Sequence, residues 1–480
     1  MNETRRSIDI LARYPKVDEA LVDSLLAAEC AGSGRKIVVL DDDPTGVQTV
    51  HDISVYTDWS PESIRAGFEE DKPLFFLLTN SRSFTAEQTA KAHREIGERV
   101  AQVAEETGRK YLIVSRSDST LRGHYPLEPE ILAQVYREHW GREVDGEILC
   151  PYFKEGGRFT LDNVHYVRYG QELVPAGETE FAGDETFGYR ASNLCEYIEE
   201  KTAGACRSRD CLWVSLELLR SMDLDKIVEL LCSAEHYRRI VVNAVEDCDV
   251  KIFAIALYRA LARGKYFTFR CAAALVKALG NISGRPLLSG RELAAAGSRA
   301  GGVILVGSHT AKTTAQLEEL KGLTQLVFLE MDSDLVLMPG ALEKETDRLL
   351  ALEEEMIPQG KTVCISTKRA LLKVENDSPE QALIRSVQIG QALQRLVGEL
   401  QAAPAFVVAK GGITSSDVGV KALKVKRATV SGQIQPGIPV WQTGPESRFP
   451  GIPYIIFPGN VGETDTLKKV VEVLLEAVQS

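Results

Sequence analysis

The 480-residue sequence lacks any apolar run of about 18 residues, the length that a membrane-spanning helix needs. The start of the chain is polar and charged, and no apolar segment follows it as it would in a secretory signal. The sequence therefore predicts neither membrane insertion nor secretion. Its hydrophobic content of 44% and charged content of 26% are typical of a globular protein.

Motifs for metal and redox chemistry are also missing. The nine cysteines are odd in number, none forms a CxxC pair, and no histidine stands at a zinc-ligand spacing. This pattern predicts reduced cysteines in a cytoplasmic protein. The net charge of −12 argues against broad binding to nucleic acids or anionic membranes. The predicted partners are therefore small molecules, and self-association into a homo-oligomer is left open.

Two common nucleotide-binding fingerprints are absent. No GxGxxG motif follows a predicted strand. The segment from Gly302 to His309 is similar to a Walker A loop only superficially, because Ser308 stands where the lysine belongs. The sequence thus argues against both a Rossmann dinucleotide site and a P-loop.

What the sequence does contain is an alternation of short apolar runs and helical stretches. The runs at 36–40, 75–78 and 111–114 each end in a polar loop, and residues 86–107 have the composition of a crossover helix. A second such series begins at residue 303. The pattern predicts an α/β protein of two domains, each a mainly parallel sheet flanked by helices.

The chain is too long for one hydrophobic core, so a domain boundary is expected. The segment from 284 to 302 holds five glycines and a proline, and we place the boundary there. This divides the chain into a helical leader at 1–30, an N-terminal domain at 31–285 and a C-terminal domain at 300–480.

The first predicted strand ends abruptly in Asp41-Asp42-Asp43-Pro44-Thr45-Gly46. In open α/β sheets, ligands bind beyond the carboxyl ends of the strands. Three adjacent carboxylates repel one another, so an ordered loop needs a cation, a hydroxyl-rich ligand or a basic partner. This loop is therefore a candidate binding site.

Two further loops follow predicted strands in the same half of the chain, at 79–82 and 118–124. With the first loop they supply carboxylates, hydroxyls, one amide, Arg82 and Arg122. This mixture suits a small polyhydroxylated acid, whose carboxylate would be bound by either arginine while the aspartates accept its hydroxyl groups. The loop at 151–158, taken alone, is interpreted as a surface turn.

The C-terminal half offers glycine-rich loops after strands, at 307–310, 410–415 and 458–462. Glycine lets backbone amides approach a phosphate closely, and a following helix N-terminus favours negative charge. Three such loops in one domain predict a nucleotide site.

One alternative comes from the opening loop itself. Asp41 and Asp43, spaced Asp-x-Asp after a strand, fit the nucleophile motif of haloacid-dehalogenase-type phosphatases. Leu78-Thr79-Asn80 resembles their second motif, and the segment from Val242 to Asp249, which ends in Glu246-Asp247-Cys248-Asp249, resembles their acidic metal motif. In this interpretation Asp41 attacks a phosphate and magnesium neutralises the charge. It leaves the glycine-rich C-terminal loops without a role.

The motifs taken together, in order, closely resemble the four-carbon acid sugar kinase family of 3-oxo-tetronate, threonate and erythronate kinases. The resemblance covers about residues 36–475 and rests on the segments 42–46, 79–82, 118–123, 157–158, 307–308, 411–415, 436–439 and 459–460. It implies an N-terminal substrate domain, a C-terminal ATP domain, and transfer of phosphate to a sugar-acid hydroxyl in the cleft between them.

The family's site residues carry over onto matching positions. The resemblance implies an acid-sugar pocket in the N-terminal domain, with Asp43 or Asp118 as the catalytic base, and it implies ATP contacts in the C-terminal domain. Magnesium is expected with ATP. The pocket residues are Asp42, Asp43, Arg82, Asp118 and Arg122, and the nucleotide residues are Ser308, Gly412, Ile413, Thr414, Ser415 and Gly459.

Five positions depart from the family pattern: Asp41, Pro44, His124, Lys410 and Pro458. The first three lie in the substrate loops and bear on which acid is used. The last two lie in the nucleotide loops and leave open a third reading, a sugar-acid-binding regulator without catalysis. The acid, the phosphorylated hydroxyl and the role of Asp41 are not decided by the sequence.

Overall fold

The computed structural model describes residues 4–293, 299–370, 372, 374, 377–459 and 461–479. The chain divides into two compact units, which we call unit 1 and unit 2. Unit 1 comprises Met1–Thr49 and Asp58–Gly284, and unit 2 comprises Val50–Thr57 and Arg285–Ser480. Within the described ranges, no helix has the length and apolar character required to cross a membrane.

The strands and helices are named in chain order. The strands are β1 (Arg6–Ser7), β2 (Lys36–Asp41), β3 (Ile53–Tyr56), β4 (Leu74–Leu78), β5 (Tyr111–Arg116), β6 (Gly146–Cys150), β7 (Arg158–Leu161), β8 (Val164–Tyr169), β9 (Glu172–Pro175), β10 (Leu212–Val214), β11 (Arg238–Val242), β12 (Phe267–Cys271), β13 (Val303–Val306), β14 (Leu326–Met331), β15 (Thr362–Thr367), β16 (Val407–Lys410), β17 (Arg427–Gln435), β18 (Ile438–Thr443) and β19 (Pro453–Phe457). The helices are α1 (Glu19–Ser33), α2 (Pro61–Glu69), α3 (Ala86–Thr107), α4 (Leu127–Trp140), α5 (Leu194–Lys201), α6 (Leu216–Arg220), α7 (Leu224–Cys232), α8 (Asp247–Ala262), α9 (Ala273–Leu279), α10 (Gly290–Leu293), α11 (Ala311–Leu320), α12 (Ala341–Met356), α13 (Pro379–Gly398), α14 (Gly412–Asp417) and α15 (Thr466–Gln479).

The main sheet of unit 1 is parallel, in the order β10-β11-β6-β12-β5-β2-β4. Every residue of β2, β4 and β5 is buried. A parallel sheet covered on both faces needs continuous apolar strands, which explains why these runs were recognisable in the sequence. The register pairs Asp41 of β2 with Leu78 of β4 on one side and with Arg116 of β5 on the other. The three strands therefore end at the same level.

The crossover helix α3 shows how local signals set the boundaries. Thr85 accepts a hydrogen bond from the backbone N–H of Gln88, whose side chain accepts one from the N–H of Thr85, so the helix begins with a capping box. It ends at Gly108, where φ is +64°. Its buried face, which includes Ile96 and Val100, packs inward. The helix predicted over 86–107 is confirmed.

A second sheet in unit 1 is small and antiparallel, in the order β1-β9-β8-β7. Strand β1 belongs to the leader, which therefore contributes a strand as well as helix α1. Arg220 donates through Nη1 to the carbonyl of Pro15 at 3.0 Å and so ties the leader to the end of α6.

Unit 2 is built around one sheet in the order β3-β17-β18-β19-β16-β13-β15-β14. The last five strands are parallel, whereas β3, β17, β18 and β19 pair antiparallel. Apolar side chains of β13, β16 and β19 pack against α15 in one core cluster. Strand β3 comes from the segment at 50–57, which leaves the N-terminal part of the chain to join unit 2 and was not predicted from the sequence.

The predicted fold class, two units that each hold a mainly parallel sheet flanked by helices, is confirmed. The antiparallel pieces were not anticipated. They are β3, the β17–β18 pair and the β1-β9-β8-β7 sheet, whose strands are short or contain turn-favouring residues such as Gly432 and Pro439.

The ion-pair cluster of Arg220 is a testable support of unit 1. Its guanidinium donates to Asp249 Oδ1 at 2.6 Å and to Glu246 Oε2 at 2.7 Å, and Asp249 is 0% exposed. Arg220→Met should lower the free energy of unfolding by about 3–5 kcal/mol, because it leaves a buried carboxylate without its cation. Urea denaturation would measure the loss. Lys226→Met, at an exposed position of α7, is the control, and an equal effect in both variants would contradict the argument.

Candidate functional site

The three polar loops predicted from the sequence lie side by side in unit 1. Since β4, β2 and β5 end in register, their loops start together at the carboxyl edge of the sheet. Backbone hydrogen bonds link them: Thr79 N donates to the Asp41 carbonyl at 2.9 Å and Arg82 N to the Asp42 carbonyl at 3.3 Å. This register agrees with the prediction, made from the sequence, that the three loops lie at one edge of the sheet.

Two arginines neutralise the triple aspartate, Arg82 from the loop after β4 and Arg116 from the end of β5. Arg82 binds Asp42 in a bidentate pair, with Nη2 2.7 Å from Oδ1 and Nε 3.2 Å from Oδ2. Its Nη1 lies 3.5 Å from Asp43 Oδ2. Arg116 donates to Asp41 Oδ1 at 2.9 Å and lies 3.4 Å from Asp42 Oδ1. The basic partner that three adjacent carboxylates require is therefore supplied by the protein itself.

Asp41 is a structural residue of this cluster. It is 1% exposed, and burial raises its pKa to about 7 against the opposing pull of Arg116. A Cβ atom at Gly46 would lie 2.0 Å from Asp41 Oδ1, so the loop folds over this carboxylate only because residue 46 is glycine. The buried Asp41 carboxylate thus packs beneath the loop at Gly46 and supports it.

This placement argues against the phosphatase alternative, which needs Asp41 as an accessible nucleophile. The carboxylate is enclosed and bonded to Arg116. Asp249, in the segment compared with the acidic metal motif, is also fully buried and is paired with Arg220. Both acidic motifs therefore have structural partners.

Asp43 and Asp118, the two candidate bases, keep oxygen atoms near the surface, with side chains 19% and 12% exposed. Asp43 Oδ1 accepts bonds from Thr45 N at 2.8 Å and Thr45 Oγ1 at 2.5 Å. Burial alone would raise the pKa of Asp43, yet Arg82 and the Thr45 bonds lower it. For Asp118, burial is again outweighed, and Arg82 and Arg122 hold its pKa well below the usual range. Both groups are ionised and can accept bonds from hydroxyl groups.

The sequence reasoning missed several charged residues beneath the loops. Arg270, at the end of β12, donates to Glu128 Oε2 at 2.8 Å and to the Arg122 carbonyl at 2.5 Å. Glu128 Oε1 in turn accepts a bond from Ser81 Oγ at 2.7 Å. Arg270 could have been found, since it stands at the carboxyl end of an apolar strand as Arg116 does.

The interpretation of the loop at 151–158 as a surface turn is wrong for its last residue. The Arg158 guanidinium lies 5.5 Å from the centroid of the Phe181 ring, and that of Arg122 lies 5.2 Å from the same ring. Asp118 acts electrostatically on Arg158 as well. Pro151, Tyr152 and Phe153 are also buried, so only residues 154–157 form a surface turn, and the Arg158 side chain belongs to the edge that carries Asp118 and Arg122.

In unit 2, the three glycine-rich loops also begin at one level. The register pairs Lys410 of β16 with Val306 of β13 and with Phe457 of β19. Thr313 Oγ1 donates to Ser308 Oγ at 3.1 Å and to the Gly459 carbonyl at 3.0 Å. Ser308 and Gly459, both predicted nucleotide residues, are therefore neighbours.

The loop at 410–415 leaves room above a helix N-terminus. Gly411 has a φ of +128°, which disfavours other residues, and a Cβ built at Gly412 meets no atom within 4 Å. Helix α14 starts at Gly412 and continues as a π-helical turn over Val418–Ala422. The first N–H groups of a helix have no partner within the helix, so open space at this helix start is suited to a phosphate group.

The other predicted nucleotide residues have different positions. Thr414 lies close to Gly307, since a Cβ at Gly307 would be 2.3 Å from Thr414 Oγ1. Ser415 is 1% exposed and its hydroxyl donates to the Gly412 carbonyl at 3.0 Å, so it supports the helix start. The Ile413 side chain and the whole of Asn460 lie outside the described residues.

Two cations stand behind these loops. Lys410 is 0% exposed, and its Nζ donates to the carbonyl of Pro458 at 2.6 Å and lies 4.0 Å from the centroid of the Phe457 ring. Burial, together with the smaller effect of the nearby Lys312, lowers the pKa of Lys410 to about 7. Arg369, which the sequence reasoning missed, donates to the Ser308 carbonyl at 2.5 Å. The departure at Lys410 thus places an amine that loses its proton near pH 7 against the loop of Gly459.

Two protein-family models match the chain, one in each half. The family described as a sugar-binding N-terminal domain matches residues 37–279, and the one described as a nucleotide-binding C-terminal domain matches residues 303–467. This order, a sugar-binding domain followed by a nucleotide-binding domain, defines the class of protein to which the chain belongs. The chain belongs to the four-carbon acid sugar kinase family, formerly DUF1537. No curated protein matches it.

Solved structures share the fold at low identity. The Haemophilus influenzae DUF1537 protein HI1011 is 17% identical, with a TM-score of 0.59, and the match covers 91% of this chain and 100% of that chain. A Salmonella typhimurium LT2 protein, named for a proposed tRNA synthase activity, is 16% identical with a TM-score of 0.63, covering 90% and 98%. A Bordetella bronchiseptica DUF1537 domain, a domain-swapped dimer with bound citrate, is 20% identical over 92% and 98%, with a TM-score of 0.40.

The buried Lys410 should make stability depend on pH. The unfolded lysine stays protonated to about pH 10.5, whereas the folded one releases its proton near pH 7, so the free energy of unfolding gains from this group as the pH rises above 7. Lys410→Met removes the gain. The difference in unfolding free energy, variant minus wild type, should fall by up to about 1.4 kcal/mol per pH unit between about pH 7 and about pH 9. Denaturation series measure it, with Lys421→Met as the exposed control; a difference that does not change with pH would contradict the burial argument.

Proposed function

We propose that this protein is an ATP-dependent carbohydrate kinase that phosphorylates a hydroxyl group of a four-carbon acid sugar, such as a tetronate or a 3-oxo-tetronate. The observation that supports it best is the edge of unit 1, where ionised aspartates and arginines meet in a sugar-binding domain. The same chain carries a nucleotide-binding domain with open glycine loops.

The acceptor would bind at the carboxyl edge of β2, β4 and β5. Asp43 is the better candidate base, because its Oδ2 has only the 3.5 Å contact with Arg82 while Oδ1 is held by Thr45. A carboxylate fixed on one oxygen orients a hydroxyl group with the other. Asp118 would accept a second hydroxyl. Asp42, engaged on both oxygens by Arg82, would position that arginine.

The nucleotide phosphates would lie over Gly412, with Ser308, Thr414 and Gly459 around them. Lys410 and Arg369 would add positive charge behind the loops. Magnesium would arrive with the triphosphate, since Mg²⁺ is usually held by one or two carboxylates plus substrate phosphates. In the part of the chain that the structure describes, no group of three or more His, Cys, Asp or Glu side chains could hold a metal alone.

A nonenzymatic regulator that binds the same acids is the second candidate, favoured by the unusual Lys410 and Pro458 in the nucleotide loops. An ATP-consumption screen over four-carbon acid sugars separates the candidates. Turnover supports the kinase, and acid binding without turnover supports the regulator. The nine free cysteines fit the cytoplasmic location that we propose, and the net charge of −12 fits small-molecule rather than nucleic-acid partners.

Asp43→Asn tests the acceptor site. The substitution preserves shape but removes the negative oxygen that orients the hydroxyl, so kcat should fall about 10²- to 10⁴-fold. Because ATP binds in unit 2, its affinity should not change. Steady-state kinetics with the acid found in the screen, together with calorimetric ATP titration, measure both. Asp71→Asn, on an exposed loop, is the control; wild-type activity of the Asp43 variant would remove this loop from the site.

Gly412→Val tests the nucleotide site. The space at this position is open, so valine can be accommodated in the fold but would occupy the volume assigned to phosphate. ATP affinity should fall at least about tenfold, equivalent to about 1.4 kcal/mol. Calorimetric titration with ATP measures it. Gly390→Val is the matched control, a helical glycine of α13 that also has nothing within 4 Å. Unchanged affinity in the Gly412 variant would exclude this loop.

A further inference from the structure

The arginine that binds the substrate carboxylate can be sought among those that the protein has not already paired. Arg82 is fully engaged: Nε and Nη2 bind Asp42, and Nη1 faces Asp43. Arg116 lies in the core and binds Asp41. Arg270 binds Glu128. A carboxylate ligand would have to compete with existing partners at each of these three.

Arg158, the first residue of β7, is different. Its Nε is buried and has no hydrogen-bond partner within the structure's described part, and its Nη1 donates to the Gly156 carbonyl. Among the described residues no carboxylate oxygen lies within 4 Å of it, although Asp118 and Glu180 act on it from farther away. A guanidinium donates up to five hydrogen bonds, so most of the capacity of Arg158 is unused.

The surroundings hold this guanidinium in a fixed place. A Cβ at Gly156 would lie 2.7 Å from Arg158 Nη1, so glycine makes the room for it. The backbone N–H of Arg158 donates to the Phe153 carbonyl at 2.8 Å, which closes the turn before β7. Phe181 lies 5.5 Å away, as a ring that can support a cation without neutralising it.

Arg122 approaches the same ring. Its Nε donates to Asp118 Oδ2 at 2.8 Å, and its Nη1 is 3.9 Å from Asp184. Two guanidinium groups therefore flank one aromatic ring, next to a carboxylate that can accept a hydroxyl bond. Burial lowers the pKa of Arg158, Asp118 opposes this effect, and the neighbouring Arg122 adds to it, so a bound anion would favour the charged guanidinium.

We propose that Arg158, with Arg122 at the same Phe181 ring, binds the carboxylate of the substrate acid while Asp118 accepts a neighbouring hydroxyl group. This deepens the proposed function and rests on it. It assigns Arg158 as the residue that selects an α- or β-hydroxy acid over the corresponding neutral polyol. Guanidinium suits this role because its parallel N–H groups match the two oxygens of a carboxylate.

The test is a binding measurement without nucleotide, so that it does not depend on phosphoryl transfer. Wild type, Arg158→Met and Arg158→Lys are titrated with threonate, erythronate, glycerate and gluconate, and with the neutral polyols threitol and erythritol. Arg158→Met should weaken acid binding about 10- to 100-fold and leave polyol binding unchanged. Arg158→Lys should lie between, since it keeps the charge and loses the fork. Arg168→Met, at an exposed arginine of neighbouring β8, should match wild type.

Equal acid affinity in wild type and Arg158→Met would overturn the proposal, and so would failure of every acid to bind wild type or equal binding of acids and polyols. If Arg158→Met does not fold, the lysine variant decides by the same comparison. Acid selectivity that depends on Arg158, without ATP turnover, supports the subsite and removes the kinase function. Turnover with an unchanged KM in Arg158→Met does the reverse.

Discussion

The pairing of the aspartates after β2 with arginines from the neighbouring loop and strand is the interaction on which unit 1 depends. The register of β4, β2 and β5 places Arg82 and Arg116 beside a run of three carboxylates. Without these cations, desolvated like charges would repel and the edge could not close. With them, Asp41 and Asp42 are held by direct ion pairs, whereas Asp43 Oδ2 has only a 3.5 Å contact with Arg82, which is why we propose it for the acceptor. One charge network therefore both builds the edge and decides which of its groups are free to act.

Unit 2 solves a related problem with less charge. Its loops are joined by hydroxyl groups, as when Thr313 bonds to Ser308 and to the Gly459 carbonyl. Glycines keep the volume above α14 empty, and the cations Lys410 and Arg369 stand behind the loops instead of lining them. An arrangement of this kind suits a ligand that brings several negative charges of its own. The two units thus have complementary chemistry: unit 1 contains its own carboxylates, and unit 2 is suited to a ligand that carries negative charge.

Much of the fold was predictable because buried parallel strands are continuous apolar runs, and because caps such as the Thr85–Gln88 box mark helix ends. The loops of the candidate site were also predictable, since each follows such a run. The partners were not: that Arg116 binds Asp41, or that Arg158 reaches the ring of Phe181, depends on register and on side chains far apart in sequence. The antiparallel strands β3, β17 and β18 lacked a distinctive pattern, because β3 has only four residues and because Gly432 in β17 and Pro439 in β18 are residues that usually mark turns.

The excursion of the chain through β3 has a consequence for biogenesis. Strand β3 pairs with β17 inside unit 2, yet the ribosome makes it before the larger segment of unit 1, Asp58–Gly284. Strand β3 has no partner strand of its own unit until β17 has emerged from the ribosome. Unit 2 therefore cannot form its complete sheet as an independent C-terminal fragment. A gene truncated to encode only the residues after the boundary segment at 284–302 would produce a unit 2 without β3. Strand β17 would then be an unpaired edge strand, open to association with other chains. The folding of unit 2 therefore depends on a short segment from the N-terminal part of the chain.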